Sequence, residues 1–478
     1  ALFGSLSSAR SLRLALLGSP FSARPLATLF PAALLLPASM SLKFVPLLVL
    51  GAVASVGAQQ PAASADPYMA RAIRVLTAQP IVDGHNDLPW RIREDKAHPM
   101  DVEAYDLRKQ TPGMTDLARL KAGHVGGQFW SIYIPGERND GAYKPNGAVA
   151  SQPGYARVQL EQIDIARRVI ARYPELQWAT TADSVRAAYS HGRLGSMLGL
   201  EGGHAIENSL NLLRVYYALG ARYMTLTHNV TLDWADAALD TAKHGGLTPF
   251  GREVVREMNR LGMLVDLSHV SPGTMSSALD VTVAPVIFSH SAARALVDHP
   301  RNVPDSILAR VPKNGGVVMV PFVTSFVSAA VYADDNQLTA IAVDAARHHP
   351  GDTAAARAEV ATWRAAHARP QATIADVANA IEHVRKVAGV DHVGIGSDFD
   401  GIPETVVGLE DVSKYPAVFA ELARRGWTDA DLKKLAGGNV LRVLAQAEQV
   451  AKRLQKERPP SLATIEQLDG AGARMATP

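Results

Sequence analysis

Eight short apolar runs, separated by longer stretches with helical periodicity, constrain the fold of this chain more than any other feature. We predict that each run is a β-strand: Pro80–Gly84, Gly127–Ile134, Ser196–Leu200, Tyr223–Thr227, Met263–Leu267, Val286–Ser289, Gly316–Pro321 and His392–Gly396. Strands that alternate with helices pair in parallel through right-handed crossovers, and eight such units close into a barrel. The pattern therefore predicts an α/β fold, a (β/α)8 barrel of the TIM type.

The helical stretches and two long connections complete the predicted organisation. The clearest helical stretches are Tyr155–Tyr173, Leu210–Leu219, Phe250–Leu261 and Ile374–Ala388. Tyr133–Gln152 is rich in Gly, Pro and Asn, which is typical of a surface loop. Residues 325–372 are rich in Ala and charge, and they indicate a helical insertion without a recognisable chemistry. We expect one catalytic barrel domain over residues 68–450 that includes this insertion, followed by a C-terminal tail over residues 451–478.

The N-terminal region has the features of an export signal. From Met40 the chain has one lysine, an apolar stretch from Phe44 to about Val56, and then small residues up to Ala58. This pattern is typical of a cleaved signal peptide over residues 40–58, followed by a polar linker over residues 59–67. Residues 1–39 are then an upstream stretch that is absent from the mature protein. We expect a periplasmic or secreted protein with no stable membrane anchor after cleavage, and the alternative is one long leader or a single N-terminal anchor.

Cysteine content and charge exclude several classes of function. The 478 residues include no cysteine, which excludes disulfides, thiolate nucleophiles and cysteine-based metal sites. The formal net charge is only +2, which gives no indication of a nucleic-acid partner. The chain also has no G-x-S-x-G, H-E-x-x-H or P-loop motif. Any metal must therefore be bound by histidine and carboxylate side chains.

Polar residues follow six of the eight predicted strands, at the point where each strand ends. In barrels of this type the catalytic groups come from the carboxyl ends of the strands and the loops that follow them. A single histidine at a strand end is more often a structural residue than a ligand, but the shared location of this set favours a metal site. The residues, in strand order, are His85 and Asp87, Glu201, His228, His269, His290 and Asp398.

The spacing of these residues predicts a site for two metal ions. His85 and Asp87 are two residues apart in an extended segment, so both side chains can bind one ion. His269 and His290 come from adjacent strands and can bind a second ion, and the two oxygens of Glu201 can bridge the pair. Three nitrogen or oxygen ligands per ion, with one position open for water, is the pattern of catalytic zinc.

Four other histidines and Asp83 do not share this pattern. We interpret His124, His204, His244 and His299 as structural or surface residues. Asp83 precedes His85 at the same strand end, and we expect it to orient the backbone or a ligand and not to bind metal.

Several motifs resemble those of the membrane dipeptidase (renal dipeptidase) family of zinc metallopeptidases, whose fold is a metal-dependent amidohydrolase barrel. They occur in the family's order over about residues 70–445. The motifs are DGHNDLPW (83–90), GLEGGH (199–204), MTLTHN (224–229), VDLSHVS (265–271), PVIFSHSAAR (285–294), RNVPD (301–305), IGSDFDG (395–401) and LAGGNVLRV (435–443).

The resemblance implies a role for each site residue. His85 and Asp87 would bind one zinc ion and His269 and His290 the other, with Glu201 as the bridge. His228 would contact the substrate carbonyl, and Arg301 would pair with the C-terminal carboxylate of a dipeptide. Asp398 would transfer a proton to the leaving amine.

The resemblance also implies an activity, namely hydrolysis of dipeptides by a hydroxide that bridges two zinc ions, with tolerance for a D-residue at the C-terminal position. The alternative is an N-acyl-amino-acid deacylase or another amidohydrolase on the same binuclear site. A non-catalytic binding protein is disfavoured because all the ligands and Asp398 are present. Cobalt or manganese could replace zinc in vitro, and a homodimer is left open. The chain departs from the mammalian members in its lack of cysteine and of a hydrophobic C-terminal tail.

Overall fold

The computed structural model describes residues 66–136 and 154–470 of the chain. The predicted upstream stretch, the signal peptide and most of the linker therefore lie outside the described residues. Most of the predicted loop Tyr133–Gln152 and the last residues of the predicted tail also lie outside them. Among the described residues no helix is both long enough and apolar enough to cross a membrane.

A single parallel sheet forms the centre of the described protein. Its strands are β1 (Ile81–Asn86), β2 (Val125–Ser131), β3 (Leu176–Trp178), β4 (Leu194–Glu201), β5 (Ala221–Thr225), β6 (Leu264–Asp266), β7 (Ile287–Phe288), β8 (Val317–Val320) and β9 (Val393–Ile395). Neighbours pair in the order β1-β2-β4-β5-β6-β7-β8-β9, and β3 pairs separately with β4. The ends of this path approach each other where Asn86 and Phe399 form a parallel bridge, so that the barrel is nearly closed.

The predicted (β/α)8 barrel is thus confirmed. Each of the eight predicted strands overlaps one observed strand of the barrel path. The prediction missed β3, which pairs with the first half of β4 from Leu176 opposite Leu194 to Trp178 opposite Ser196. With only three residues and a glutamine at its centre, β3 has too little apolar sequence to be recognised as a strand.

Helices connect the strands on the outside of the barrel. In the first half they are α1 (Pro67–Ala78), α2 (Leu88–Arg93), α3 (Leu117–Ala122), α4 (Tyr155–Arg172), α5 (Ala182–Ser190) and α6 (Leu210–Ala218). In the second half they are α7 (Pro249–Leu261), α8 (Pro272–Val281), α9 (Asp305–Leu308), α10 (Val311–Asn314), α11 (Thr324–Val327), α12 (Ala329–His348), α13 (Thr353–Ala366), α14 (Ile374–Ala388), α15 (Tyr415–Arg424), α16 (Asp429–Lys433), α17 (Asn439–Glu457) and α18 (Ile465–Asp469).

Helix α7 shows why these segments are helical. The Thr248 side chain caps its first turn by accepting a hydrogen bond from the amide of Gly251, and Pro249 occupies the first helical position. Gly262 ends the helix with a φ of 86°, a left-handed conformation that glycine adopts without steric cost. Between these ends its apolar side chains, from Phe250 to Leu261, are buried against the barrel.

The segment between β8 and α14, which the sequence indicates as an insertion, contains α11, α12 and α13. Helices α12 and α13 share a small apolar cluster of Ala342, Ala345, Ala356 and Val360, separate from the main core. Arg364 of α13 donates two hydrogen bonds, of 3.0 and 2.8 Å, to the carboxylate of Asp334 in α12. The two helices therefore form a small packing unit of their own, which α11 connects to the barrel.

Candidate metal centre

The polar residues predicted from the strand ends lie together at the carboxyl end of the barrel. They come from six different strands and meet there because parallel strands all end on the same side of the sheet. Every one of them is buried or half-buried. His85 lies within β1 with Asp87 just after it, Glu201 is the last residue of β4, and His228, His269, His290 and Asp398 follow β5, β6, β7 and β9.

Glu201 lies at the centre of the cluster, and its two carboxylate oxygens face different histidines. Oε1 lies 3.0 Å from Nε2 of His269 and 3.4 Å from Nε2 of His290. Oε2 lies 3.4 Å from Nε2 of His85 and accepts a 3.1 Å hydrogen bond from the Ser131 hydroxyl. One carboxylate is thus shared between two groups of nitrogen ligands, which is the arrangement of a bridging ligand.

The second group of ligand atoms surrounds His85. Its Nε2 lies 3.2 Å from Oδ2 of Asp87 and 3.9 Å from Oδ1 of Asp398. In the described part of the chain, neither Nε2 of His85 nor Oδ1 of Asp87 has a hydrogen-bond partner, although both atoms are buried. Buried polar atoms without hydrogen bonds are costly unless an ion or water satisfies them, so this geometry fits a bound cation.

The protonation of His290 is fixed by a buried network behind it. Asp266 is fully buried and accepts hydrogen bonds from the Thr225 hydroxyl at 2.5 Å, the Ser289 hydroxyl at 2.6 Å, the Ser289 amide at 2.8 Å and the Ser268 amide at 3.1 Å. Because the Ser289 hydroxyl donates to Asp266, its oxygen accepts from Nδ1 of His290, 2.8 Å away. The proton of His290 is therefore on Nδ1, and Nε2 presents a lone pair to the cluster.

His269 and His85 are also oriented through Nδ1, each by a different partner. Nδ1 of His269 lies 3.1 Å from the side-chain oxygen of Asn229, which is an acceptor, so this Nδ1 also carries the proton. Nδ1 of His85 lies 2.8 Å from the hydroxyl of Tyr223. All three Nε2 atoms therefore face the centre of the cluster.

Two of these lone pairs point at each other, which is the strongest sign that the residues suit a cation. The Nε2 atoms of His269 and His290 are 2.9 Å apart. With both protons on Nδ1, neither nitrogen can donate to the other, and their contact is repulsive. A divalent cation that accepts both lone pairs removes this repulsion, and neutral imidazole with a carboxylate is a ligand set that zinc prefers.

Burial and the neighbouring groups shift the pKa values of several residues of the cluster. Burial raises the pKa of the Glu201 carboxyl and lowers the pKa of His269 and His290 well below the usual value. Burial also opposes charge on His85, but its neighbours, Tyr223 and Glu201 first, raise its pKa well above the usual value. A dication among these groups would favour carboxylate and neutral imidazole together.

Gly401 provides the space in which two carboxylates approach the cluster. A Cβ atom at this position would lie 2.2 Å from Oδ2 of Asp87 and 2.6 Å from Oδ1 of Asp398. His269 and Asp398 both adopt a φ of 67°, an uncommon left-handed conformation for residues with side chains. Such conformations concentrate at functional sites, where the surrounding structure holds them in place.

His228 and Arg301 are beside the cluster. The His228 ring centroid is 4.3 Å from that of His269, and a ligand atom of His228 groups with Glu201 and His269 within 4.8 Å. Arg301 follows β7 in the loop before α9 and is 2% exposed. Its charge is near enough to add to the effect of burial on the pKa of His269.

Asp83 connects the first and last strands of the barrel. Its carboxylate accepts hydrogen bonds from the amide and hydroxyl of Ser397, both at 2.8 Å, from Tyr415 at 2.9 Å and from Gln128 at 3.0 Å. It therefore holds the backbone just before Asp398.

The four histidines that we interpreted as structural or surface residues differ in their burial. His204 is buried, with Nε2 3.0 Å from the carbonyl of Ile134. His124 and His299 are half-buried and His244 is exposed.

The residues that orient the ligands were not predicted from the sequence. A signal was available for Asp266, since an aspartate inside an apolar strand is expected to be a hydrogen-bonded buried group. No comparable signal exists for the others, because serine, asparagine and tyrosine occur at strand ends for many reasons. The missed residues are Tyr223, Thr225, Asn229, Asp266, Ser268 and Ser289.

A parallel α/β barrel with a buried histidine and carboxylate cluster at its carboxyl end is the architecture of a metal-dependent enzyme of the amidohydrolase-barrel type. The sequence model of the membrane dipeptidase family (peptidase family M19) matches residues 69–458. The chain therefore belongs to this family, and it is a metallopeptidase that acts as a dipeptidase.

Solved structures with the same fold include several bacterial enzymes. The probable dipeptidase PvdM from Pseudomonas aeruginosa aligns with a TM-score of 0.67 at 24% identity, over 80% of this chain and 99% of its own. A metallopeptidase from Rhodobacter sphaeroides, liganded with a phosphinate mimic of the dipeptide L-Ala-D-Ala, aligns with a TM-score of 0.60 at 25% identity, over 77% and 99%. An amidohydrolase from Pseudomonas aeruginosa aligns at 0.57 and 21% identity, over 79% and 98%.

Proposed function

We propose that this dipeptidase works with two zinc ions, one held by His85 and Asp87 and the other by His269 and His290. Glu201 would bridge them. The observation that carries this proposal is the position of Glu201, whose Oε1 faces His269 and His290 while its Oε2 faces His85. A carboxylate shared in this way suits two ions and leaves each one a position for water or substrate.

When bound, the two zinc ions would supply an activated hydroxide and a Lewis-acid contact for the carbonyl oxygen of the scissile bond. The chain's own residues would carry the other steps. His228, half-buried beside His269, would donate a hydrogen bond to the developing oxyanion. Asp398 would accept a proton on its carboxylate and deliver it to the nitrogen of the leaving amine.

Substrate length would be set by Arg301. Its guanidinium is buried beside the cluster, where two parallel N–H donors suit a carboxylate one residue beyond the cleaved bond. We also propose that a D-residue is accepted at this C-terminal position. The Rhodobacter sphaeroides relative was liganded with a mimic of L-Ala-D-Ala, which supports this substrate class.

The test is hydrolysis of four substrates by purified protein, each with and without a chelator. They are an L-L dipeptide, the matching L-D dipeptide, an N-acetyl amino acid and a tripeptide. We expect cleavage of both dipeptides alone, loss of activity with the chelator, and two zinc ions per chain by elemental analysis. Recovery of activity on addition of zinc is the control for irreversible damage.

Other outcomes would redirect the proposal. Cleavage of the N-acetyl compound in place of the dipeptides would indicate an N-acyl-amino-acid deacylase on the same centre. One metal ion per chain in a fully active preparation would remove the bridging role of Glu201. Cleavage of the L-L dipeptide alone would restrict the proposal to L-residues.

We further propose that the enzyme acts in the periplasm or outside the cell. The support is the signal-peptide pattern over residues 40–58, with a small-residue site that ends at Ala58. N-terminal sequencing of the protein from fractionated cells should give Gln59 as the first residue in the exported fraction. An uncleaved protein retained at the membrane would contradict this.

A further inference from the structure

The first helix of the insertion contacts the loop that carries Arg301. Helix α11 begins at Thr324, a few residues after β8 ends at Val320, so it remains at the rim of the barrel. The ring of Phe326 in this helix lies against Arg301, with the guanidinium carbon 5.3 Å from the ring centroid. Phe326 is itself only 9% exposed. A buried aromatic face and a buried guanidinium therefore meet beside the metal centre.

The backbone on both sides of this contact is held in place. Asn302, which is fully buried, donates hydrogen bonds of 2.9 Å to the carbonyls of Phe326 and Val297. The amide of Arg301 donates to Nδ1 of His299 at 3.1 Å, and the His299 ring packs on Phe326 with centroids 4.5 Å apart. The loop and the helix thus form one unit, in which the position of Phe326 is coupled to that of Arg301.

The kind of contact matters for what Arg301 can do. An aromatic ring attracts a guanidinium through its face, and this contact does not use the N–H donors that lie in the guanidinium plane. A carboxylate or carbonyl at the position of Phe326 would also attract the cation, but it would compete for those donors. Phe326 can therefore stabilise a buried cation through its ring face and leave in-plane donors to a bound carboxylate.

We propose that Phe326 is a positioning residue for Arg301, and that the insertion thereby sets the preference for dipeptides with a free C-terminal carboxylate. This inference rests on the proposed function, in which Arg301 binds that carboxylate. It gives the insertion, for which the sequence indicates no chemistry, a role in substrate selection. Phe326 acts through Arg301 and not on the scissile bond.

The experiment compares a dipeptide with the same dipeptide as its C-terminal amide, and the readout is the ratio of their kcat/KM values. Phe326→Leu retains an apolar side chain but removes the aromatic face. We expect it to raise KM for the dipeptide, with a smaller change in kcat, and to leave kcat/KM for the amide unchanged. The ratio should fall about 2- to 30-fold, the range that corresponds to cation–π contacts of about 0.5–2 kcal/mol.

Two variants serve as controls. Phe326→Tyr keeps the aromatic face and should restore most of the ratio. Trp363→Leu removes another ring of the insertion that lies over an arginine, since the Arg364 guanidinium carbon is 4.9 Å from the Trp363 centroid. Arg364 pairs with Asp334 within the insertion, so this variant should leave the ratio unchanged.

A double-mutant cycle tests whether the effect passes through Arg301. In an Arg301→Lys background, Phe326→Leu should change the ratio much less than in the wild type. An equal fall in activity on both substrates, with a lower unfolding temperature, would show that Phe326 only supports the fold and would overturn the inference. An unchanged ratio in Phe326→Leu would overturn it as well.

The same measurements distinguish failure of the proposed role of Arg301 from failure of the proposed role of Phe326. If the wild-type protein cleaves the dipeptide and its amide equally well, Arg301 does not select a carboxylate, and the proposed roles of Arg301 and Phe326 both fall before any variant is measured. If the wild type prefers the dipeptide and Arg301→Lys removes this preference while Phe326→Leu does not, the proposed function stands and only the role of Phe326 is lost.

Discussion

Individual hydrogen bonds decide which nitrogen of each histidine faces the metal centre. The most developed case is His290, where Asp266 orients the Ser289 hydroxyl and that hydroxyl receives the proton of Nδ1. Asp266 acts on the centre through Ser289, and it thereby determines the lone pair that Nε2 presents. Partners of this kind typically change metal affinity without changing the ligand set.

Ser289→Ala tests this arrangement. Loss of the hydroxyl removes the acceptor for Nδ1 of His290, so the ring is no longer held in one tautomer. We expect metal affinity to fall about 10- to 100-fold, measured by competition with a chromogenic chelator. Ser196→Ala is the matched control, because Ser196 is also a buried serine of the barrel, but its hydroxyl donates to the backbone carbonyl of Leu194 and not to a carboxylate behind a ligand. Equal affinity in the two variants would contradict the role of Ser289.

Gly401→Ala tests the space that the carboxylates need. The added methyl group would lie 2.2 Å from Oδ2 of Asp87, so Asp87 or the loop after β9 must move. We expect activity and metal content to fall together, while the far-ultraviolet circular dichroism spectrum stays that of the wild type. Gly438→Ala, where the nearest atom to the new Cβ is 3.1 Å away, should keep both properties. Full metal content in Gly401→Ala would show that the loop adjusts without cost.

At the scale of elements, contacts between residues of different segments connect the carboxyl ends of the strands. The short 3₁₀ helix Gly203–Ile206 follows β4, and His204 in it reaches the carbonyl of Ile134 beyond the end of β2. Burial lowers the pKa of His204 to about 4. The folded protein therefore keeps this imidazole neutral over a pH range in which the unfolded chain binds a proton.

Acid should lower the stability of the protein through His204, which joins the ends of β2 and β4. His204→Gln should remove this part of the pH dependence. Between the unfolded pKa of about 6.5 and the folded value of about 4, only the unfolded chain is protonated at this residue, so stability is present at neutral pH and lost as the pH falls. From pH 7 to pH 5 the loss from His204 is about 2 kcal/mol. In urea unfolding, the free energy of unfolding of the wild type should fall from pH 7 to pH 5 by about 2 kcal/mol more than that of the variant.

The control for this experiment is a histidine at an exposed position. His191→Gln changes an exposed residue at the end of α5 and should decline in parallel with the wild type. Parallel declines of His204→Gln and the wild type would mean that His204 is protonated alike in the folded and unfolded states.

The elements themselves were largely predictable, whereas their partners were not. Apolar runs and helical periodicity are local signals, and they identified every strand of the barrel path. They could not identify β3, whose pairing with β4 depends on residues distant in the chain. They also located the helices of the insertion but could not indicate that Phe326 meets Arg301, because this contact is set by tertiary packing.

At the scale of the whole molecule, the barrel concentrates buried carboxylates and imidazoles at one end. Without a cation such a cluster opposes folding, since like charges and facing lone pairs are brought together away from water. A metal that binds only the folded protein contributes its binding free energy to stability. Metal content and stability are therefore linked in this enzyme.

Removal of the metal should lower the unfolding temperature. At a free metal concentration of 100 times the Kd, the expected stabilisation is about 2.7 kcal/mol. Calorimetry with and without a chelator measures the shift, and addition of zinc should reverse it. Glu201→Gln, which weakens the shared ligand, is the control and should respond less to the chelator. An unfolding temperature that is independent of metal would contradict the linkage.

The sequence by itself determined the barrel, the absence of cysteine chemistry and the set of polar residues at the strand ends. These features follow from periodicity, composition and the rule that parallel strands end on one side, all of which are local or topological. Only the tertiary structure decided which oxygen of Glu201 faces which histidine, how Asp266 reaches His290 through Ser289, and that Phe326 covers Arg301. Such contacts join residues far apart in the chain, and their geometry depends on how the whole barrel packs and closes.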